Sequence, residues 1–167
     1  MLRPLPLAAQ AVSYALFALL LGYFSVNPAY TYIDPDSAVI KLSFNHAGAR
    51  AGECRQLTPE EIAELAPNMR RPLDCPRKRV PLLVELEMDG VPLYRASVSP
   101  SGFADDGPAT VYQRFVVPPG RHELTARLRD SRRTEGFDYE ARAQVELAAQ
   151  RNFVVDFQAR AGGFIFK

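Results

Sequence analysis

The stretch Val84-Glu-Leu-Glu-Met-Asp-Gly-Val-Pro-Leu-Tyr-Arg-Ala-Ser-Val98 decides the fold class of this chain. In its first half, apolar residues at positions 84, 86 and 88 alternate with two glutamates, which is the period of a strand that buries one face. The Asp89-Gly90 pair that follows is a preferred dipeptide of the two-residue hairpin turn. We therefore predict a β-hairpin, and Pro92 indicates that its second strand lies at a sheet edge.

The same alternation continues on both sides of this hairpin. One run lies upstream at 40–44, and four lie downstream, at 111–117, 122–130, 137–147 and 153–157. The turn Pro118-Pro119-Gly120 predicts that the first two downstream runs form a second hairpin. About seven strands at this spacing predict a mainly β domain, an antiparallel β-sandwich with one short helix. The alanine-rich run from Glu140 to Ala149 has a helical alternative, but its apolar and charged residues alternate, which favours a strand.

A family resemblance rests on Val117-Pro-Pro-Gly-Arg-His-Glu-Leu-Thr-Ala-Arg-Leu128. This segment resembles the proline-glycine turn and following strand of small extracytoplasmic β-sandwich modules, such as PEGA-type and other immunoglobulin-like repeats. The resemblance begins at Asp89. It implies an immunoglobulin-like sandwich with a binding or spacing role, and it carries over no functional residue.

The N-terminal segment is apolar over the length of a bilayer. No charged residue occurs from Leu5 to Val26, and roughly 20 helical residues at about 1.5 Å each reach about 30 Å. We predict a transmembrane helix at 7–27. The alternative is a cleaved signal peptide ending at Ala29, but Asn27 replaces the small residue expected two positions earlier. We therefore expect the helix to be retained.

Charge around this segment predicts its orientation. Arg3 precedes it, and Asp34 and Asp36 are the first charges after it, so the N-terminus is expected in the cytoplasm. The predicted division is a cytoplasmic N-terminus at 1–6, the helix at 7–27, a membrane-proximal segment with the first strand and a short helix at 28–79, and the β-sandwich at 80–167. Basic residues are mostly Arg, which favours a bacterium, and we expect the inner membrane with the C-terminal domain in the periplasm.

The chain has two cysteines, Cys54 and Cys75. An even count in an exported domain predicts a disulfide. Between them, Thr58, Pro59 and Glu61 form the capping-box start of a short helix. The alternative is a metal or redox pair, but no Cys-x-x-Cys is present and the two histidines, His46 and His122, have no ligand spacing. We expect no metal and no cofactor.

Three sets of residues are candidates for contacts. Arg70, Arg71, Arg77, Lys78 and Arg79 form the densest basic cluster, which is either a solvated loop or a contact for anionic lipid or an acidic partner. The apolar end, with Phe164 and Phe166, is either a last strand or a partner contact. In the helix, small residues permit close packing on other helices: Ala8, Ala9, Ala15, Ala18 and Gly22.

The sequence contains no catalytic motif of the serine-hydrolase, phosphate-loop, zinc-protease or haem-attachment type. Asp105-Asp106-Gly107 is either a turn or an acidic calcium loop, and a turn is favoured because only two carboxylates cluster there. The formal net charge is +1, which gives no general attraction to nucleic acid.

These observations predict a non-catalytic accessory or assembly subunit of a bacterial membrane complex, of the respiratory, electron-transfer or transport kind. Its expected partners are the lipid bilayer and other integral membrane subunits, and nucleic acid is not expected. One alternative is an anchored envelope module that binds glycan, peptidoglycan or an exported protein. A second alternative is a metal or thiol chaperone.

Overall fold

The computed structural model describes residues 4–28 and 31–167. Residues 1–3 of the predicted N-terminal tail, and Ala29 at the alternative cleavage position, lie outside them. The chain divides into two compact units, Met1–Asp34 and Pro35–Lys167, and each is described by itself below.

Among its described residues, the first unit contains the helix α1, at Pro4–Val26. A proline is favourable in the first helical turn because the amide it lacks has no helical partner there, and Pro28 follows the last turn. The window Leu7–Val26 has a mean hydropathy of 1.7, and none of it is buried within the protein. The predicted helix is therefore present, and it is long and apolar enough to cross a membrane.

The second unit is mainly β. Its long strands are β1 Ala38–His46, β4 Leu82–Met88, β5 Val91–Val98, β6 Ala109–Val117, β7 Gly120–Arg129, β8 Tyr139–Leu147 and β9 Asn152–Gln158. Its short strands are β2 Arg55–Gln56, β3 Leu73–Asp74 and β10 Gly163–Phe166. Helix α2 occupies Pro59–Glu64, and single 3₁₀ turns occupy Pro67–Met69 and Ala159–Ala161.

Eight strands form two four-stranded sheets. The first sheet has the order β10-β9-β1-β6 and the second the order β5-β4-β7-β8. Neighbouring strands are antiparallel except β1 and β9, which are parallel, so the prediction of a wholly antiparallel arrangement is wrong at this pair. The reason is the path of the chain, because β9 enters the first sheet from β8 of the second sheet rather than through a tight hairpin from a neighbour.

One hydrophobic core is formed by side chains of both sheets. Ile40 and Leu42 of the first sheet and Leu86, Leu124 and Leu128 of the second are fully buried in the same cluster. Their alternation along each strand places every second side chain in this core. The predicted sandwich-like arrangement of sheets is confirmed at this level.

The opening hairpin is confirmed. Strands β4 and β5 pair from Met88 opposite Val91 back to Leu82 opposite Val98. Asp89 and Gly90 have φ values of +53° and +79°, which is the conformation that a type I′ turn requires at both central positions. The β5 strand lies at a sheet edge, as Pro92 predicts.

The second predicted hairpin is wrong. Strand β6 pairs with β1 in the first sheet, whereas β7 pairs with β4 and β8 in the second. Pro118 and Pro119 lack the amide donors that would continue a ladder, and the chain crosses between the sheets here. The hairpin partner of β7 is β8, which also settles the alanine-rich run as a strand.

Candidate interaction surface

A disulfide-stapled lobe, residues 47–79, separates β1 from β4. Its base is the bond between Cys54 and Cys75, which confirms the predicted disulfide. The two-residue strands β2 and β3 pair beside this bond, with Arg55 opposite Asp74. The lobe therefore depends on a covalent link where it has little core of its own, since both short strands and α2 lack buried side chains.

Helix α2 begins with the predicted capping box. The backbone N–H of Glu61 donates to the Thr58 hydroxyl at 3.3 Å, and the Thr58 N–H donates to the Glu61 carboxylate at 2.8 Å. Arg55 Nη1 donates to the same carboxylate at 2.6 Å. The hydrogen bond from Arg55, with the cap, holds the pKa of Glu61 below its usual range.

An open cleft of about 690 Å³ lies in this lobe. Its lining includes three arginines, Arg55, Arg70 and Arg71, and three acids, Glu61, Glu64 and Asp74. Leu57, Leu65 and Met69 add apolar surface. Its size is within the range of ligand clefts, and its balanced charge suits a mixed polypeptide segment better than a purely anionic ligand.

The basic cluster predicted from sequence is divided by the structure. Arg70 donates to the carbonyl oxygens of Leu65 at 3.3 Å and Ala63 at 3.5 Å, near the end of α2. Arg71 pairs with Asp74 at 2.7 Å. These two arginines therefore belong to the lobe cleft, and each already has a partner within the protein.

The other three basic residues lie at the return of the lobe to β4. Arg79 donates to the carbonyl oxygens of Asp106 at 2.9 Å and Gly48 at 2.8 Å, so it joins the lobe to the loop 99–108. Lys78 lies 3.4 Å from Asp105 and remains largely exposed. Arg77 is exposed. Of the five predicted contacts, Arg77 and Lys78 are thus the ones best presented to a partner.

The loop 99–108 is a turn. Gly107 donates from its backbone to the Ser101 carbonyl at 2.9 Å, and a Cβ on Gly107 would lie 2.4 Å from the Ser101 hydroxyl. Within the described residues no group of three metal-ligating side chains occurs. Phe103 is fully exposed at this loop, a feature that the sequence did not single out because nothing local distinguishes it from a core phenylalanine.

A charged cluster lies on the outer face of the second sheet and was also missed. Glu85 is only 5% exposed and accepts a 2.6 Å hydrogen bond from Arg127 Nη1. Arg127 also lies 2.8 Å from Glu87 and 3.1 Å from Glu140. The hydrogen bond with Glu87 raises the pKa of Arg127 above its usual value, and the hydrogen bonds with Glu85 and Glu140 act in the same direction. Burial alone would lower this pKa, but its effect is smaller than theirs. Register alone brings these residues together, because Glu85 pairs with Arg127 and Arg127 with Glu140.

Both histidines pair with aspartates. His46 lies 2.7 Å from Asp130, and His122 Nδ1 lies 2.7 Å from Asp89. The hydrogen bond with His122, together with the Glu123 amide, holds the pKa of Asp89 below its usual range. His122 Nε2 is buried without a hydrogen-bond partner. In the described part of the chain, no hydroxyl or thiol is hydrogen-bonded to either imidazole to form a nucleophile and base pair.

The aromatic residues near the C-terminus are occupied by the core. Phe164 of β10 packs edge-on against Phe44 and Phe157, with ring centroids 6.2 Å and 5.1 Å away. Phe166 also packs against the core. The C-terminal segment is therefore a last strand, and both rings pack on the core of the domain.

The small residues of α1 are exposed. At Gly22 nothing lies within 4 Å of an added Cβ. At about 100° per residue, positions 8, 11, 15, 18 and 22 fall within about 80° of the helix circumference, whereas position 9 lies outside it. Ala11 therefore joins Ala8, Ala15, Ala18 and Gly22 on one small-residue face, and Ala9 does not.

Comparison of the chain with protein families, with curated proteins and with solved structures finds no match.

Proposed function

We propose that this chain is a membrane-anchored, non-catalytic accessory or assembly subunit of a bacterial membrane complex, of the respiratory, electron-transfer or transport kind. In this proposal α1 crosses the inner membrane and the β domain lies in the periplasm. The observation that carries it is the uncharged, largely apolar and unburied helix, because a twenty-residue window of this hydropathy is unfavourable in water.

The helix offers a face to other membrane helices. Between Ala8 and Gly22 its small-residue face has no large side chain, so a neighbouring backbone can approach closely there. Large apolar residues such as Leu16, Phe17, Leu20 and Phe24 are exposed elsewhere on the helix. In a bilayer, those residues would meet lipid while the small residues meet another subunit.

The β domain supports an oxidising compartment and a docking role. A structural disulfide is typical of the periplasm and rare in the cytosol, and the lobe depends on the Cys54–Cys75 bond. The lobe cleft, with apolar and balanced charged lining, suits a polypeptide segment of a partner. An immunoglobulin-like assignment of the two stacked sheets is part of this proposal and agrees with a spacing or binding role.

The test is recovery of partners with the full chain. A tagged copy expressed in a bacterium and extracted in mild detergent should co-purify with integral membrane proteins. Replacing Ala15, Ala18 and Gly22 together by Leu should reduce that recovery several-fold, because the bulky side chains prevent close helix approach. The matched control replaces Ala9, Gln10 and Ser13 by Leu on the opposite face and should leave recovery unchanged.

Several outcomes contradict the proposal. The first is recovery of the chain alone under conditions that preserve known membrane complexes. The second is recovery of the chain in the soluble fraction, with cleavage that leaves a mature N-terminus near residue 30. If both triple variants recover the partner proteins equally, α1 serves only as a membrane anchor and the β domain makes the contacts with the partners.

The lobe cleft favours a second candidate, an anchored envelope module that binds an exported protein or a wall polymer. In that case isolated cell wall or a periplasmic extract should retain the chain, and Arg71→Glu with Arg55→Glu in the cleft should weaken retention. A metal or thiol chaperone would need free thiols, whereas Cys54 and Cys75 are bonded to each other.

A further inference from the structure

The four edge strands of the two sheets differ in how they are protected from pairing with another chain. Strand β10 has only four residues. Strand β5 contains Pro92, and the β4–β5 register is interrupted between Leu86 and Glu87. Strand β8 carries the charged residues Glu140, Arg142 and Glu146 and lies against β10. Short length, proline, irregularity and charge are the features that keep edge strands from associating.

Strand β6 is not short, has no proline and no irregularity, and carries a single charged residue, Arg114. It has nine residues, Ala-Thr-Val-Tyr-Gln-Arg-Phe-Val-Val, and pairs with β1 along its whole length without interruption. Among strands of the described residues, β1 is its only partner. Tyr112 and Val116 on its outer face are 62% and 63% exposed. A long, uninterrupted, β-prone edge with large exposed side chains is suited to receive another strand.

We infer that β6 pairs with β6 of a second copy of this chain, antiparallel, about a two-fold axis at Gln113. The first sheets of two copies then form one eight-stranded sheet. This inference goes beyond the proposed function, and β6 shares no residue with the lobe cleft.

The register follows from the sequence of the strand itself. With the axis at Gln113, all nine residues pair. Ala109 lies opposite Val117 of the second copy at the end of the pair, and Gln113 lies opposite Gln113 of the second copy at its centre. Thr110 then lies opposite Val116 of the second copy, and Tyr112 opposite Arg114 of the second copy. An axis at Arg114 would place two guanidinium groups directly opposite each other, which is destabilising. An axis at Tyr112 would leave the exposed Val116 without a paired residue.

The self-complementarity favours a second copy over an unrelated strand. A two-fold interface requires that the same surface fit itself, and β6 does so with its only charged residue opposite an aromatic one. A single strand pair buries less area than a standard interface of about 1,600 Å². The appropriate test therefore captures the register covalently and does not rely on the strength of the dimer.

The test uses the full chain in detergent with single added cysteines. The native cysteines are bonded to each other, so Thr110→Cys and Val116→Cys each provide the only free thiol. Mild oxidation of a mixture of the two variants should yield a disulfide-linked heterodimer, because directly opposed residues have Cβ atoms about 5 Å apart. Each variant alone should give several times less dimer, since its own thiols would be about 20 Å apart across the axis.

A second change separates strand pairing from collision. Tyr112→Lys, which would place Lys opposite Arg114 of the second copy, should abolish the heterodimer in the mixture, and Tyr112→Phe should preserve it. Circular dichroism checks that both variants remain folded.

Equal cross-linking of the single variants and the mixture would overturn the inference. Persistence of the disulfide-linked heterodimer when Tyr112→Lys is added would also overturn it. Absence of the heterodimer while general lysine cross-linking still captures dimers would also overturn it, and would assign association to α1 alone. Covalent capture of a different protein through position 110 or 116 would assign the edge to a foreign strand and likewise contradict self-pairing.

Discussion

At the scale of single residues, the outer face of the second sheet holds a buried carboxylate that only its cationic neighbours make tolerable. Glu85 accepts from Arg127 and lies 3.3 Å from Arg95 Nε. The Arg127 guanidinium carbon also lies 5.9 Å from the centre of the Phe137 ring. Removing one partner of a buried ion pair costs more than the pair contributes, because the remaining charge is left desolvated.

We expect Arg127→Ala to lower the free energy of unfolding by about 2–4 kcal/mol, since Glu85 would remain buried with only the exposed Arg95 beside it. The measurement is urea unfolding of the full chain in detergent, followed by circular dichroism because the chain has no tryptophan. Arg121→Ala is the matched control. Its pair with Glu146 is largely exposed, so a change within about 0.5 kcal/mol is expected, and equal losses would contradict the special role of Arg127.

Asp138 joins the start of β8 to the end of β7. Burial by itself raises the pKa of Asp138, but this is outweighed by hydrogen bonds from the Ser131 hydroxyl and from the backbone amides of Asp130 and Ser131. Arg133 adds an ion pair at 3.0 Å. The folded-state pKa of Asp138 is therefore lower than that of the unfolded chain.

A lowered pKa contributes stability above the unfolded value of about 4 and loses it as the pH falls through the folded value. Asp138→Asn should therefore be less stable than the unmodified chain at pH 7, by about 1–3 kcal/mol. The difference should narrow as the pH falls from 5 to 3, because the Asp138 carboxylate is protonated in the unfolded chain before it is protonated in the folded chain. Urea unfolding of both chains across this range measures it, and a constant difference would contradict the assignment.

At the scale of elements, the lobe differs from the sandwich in what keeps it ordered. Helix α2 is six residues long and has no buried side chain, too short to be stable alone. Its order depends on the capping box, on the pairing of β2 with β3, and on the disulfide. A disulfide that closes a loop of this size contributes about 3 kcal/mol by restricting the unfolded chain.

We expect Cys54→Ser with Cys75→Ser to unfold the lobe and leave the sandwich folded. Limited trypsin digestion should then cleave after Arg55 or Arg70, whereas the unmodified chain should resist under the same conditions. Circular dichroism of the uncut variant should keep its β signal. Cooperative loss of that signal would show instead that the sandwich requires the disulfide.

Elements set by local sequence were predictable. The Asp89-Gly90 turn, the Thr58 cap and the alternation along β8 each depend on residues close in the chain, and each is confirmed. The partner of β6 was not predictable in the same way, since Pro118-Pro119-Gly120 is compatible with a hairpin or with a crossing between sheets. Only the distant strands β1 and β4 decide between them.

The site residues divide along the same line. The disulfide follows from the cysteine count in an exported domain, and the small-residue helix face follows from the helical repeat. The lobe cleft depends on the pairing of β2 with β3, where Arg55 lies opposite Asp74. The Glu85–Arg127 pair depends on register between strands 42 residues apart. No local pattern contains either. Phe103 is exposed on a loop that Arg79 of another segment contacts.

At the scale of the whole molecule, one core joins both sheets, and the domain should therefore unfold as a unit. Leu86 is fully buried in the second sheet. We expect Leu86→Ala to lower the free energy of unfolding by about 2–5 kcal/mol, as for other buried leucines. Val91→Ala, at an exposed position on β5, should change it by less than about 0.5 kcal/mol.

Hydrogen exchange of Leu86→Ala would test the cooperativity. Amides of β1 in the first sheet and of β4 in the second should lose protection together, because the two strands pack on the same cluster. Loss confined to the second sheet would contradict a single cooperative core.

The parallel pairing of β1 with β9 also sets the order of assembly. Val39 lies opposite Asn152, so the first strand of the domain to leave the ribosome pairs with one of the last. The first sheet cannot be completed until nearly the whole chain has been made, whereas the β4–β5 and β7–β8 hairpins can form earlier from neighbouring residues. Such distant contacts slow folding, and one edge of β1 stays unpaired until β9 has been made, even after β6 has paired with the other edge. This is the period in which the growing chain has most need of a holding chaperone.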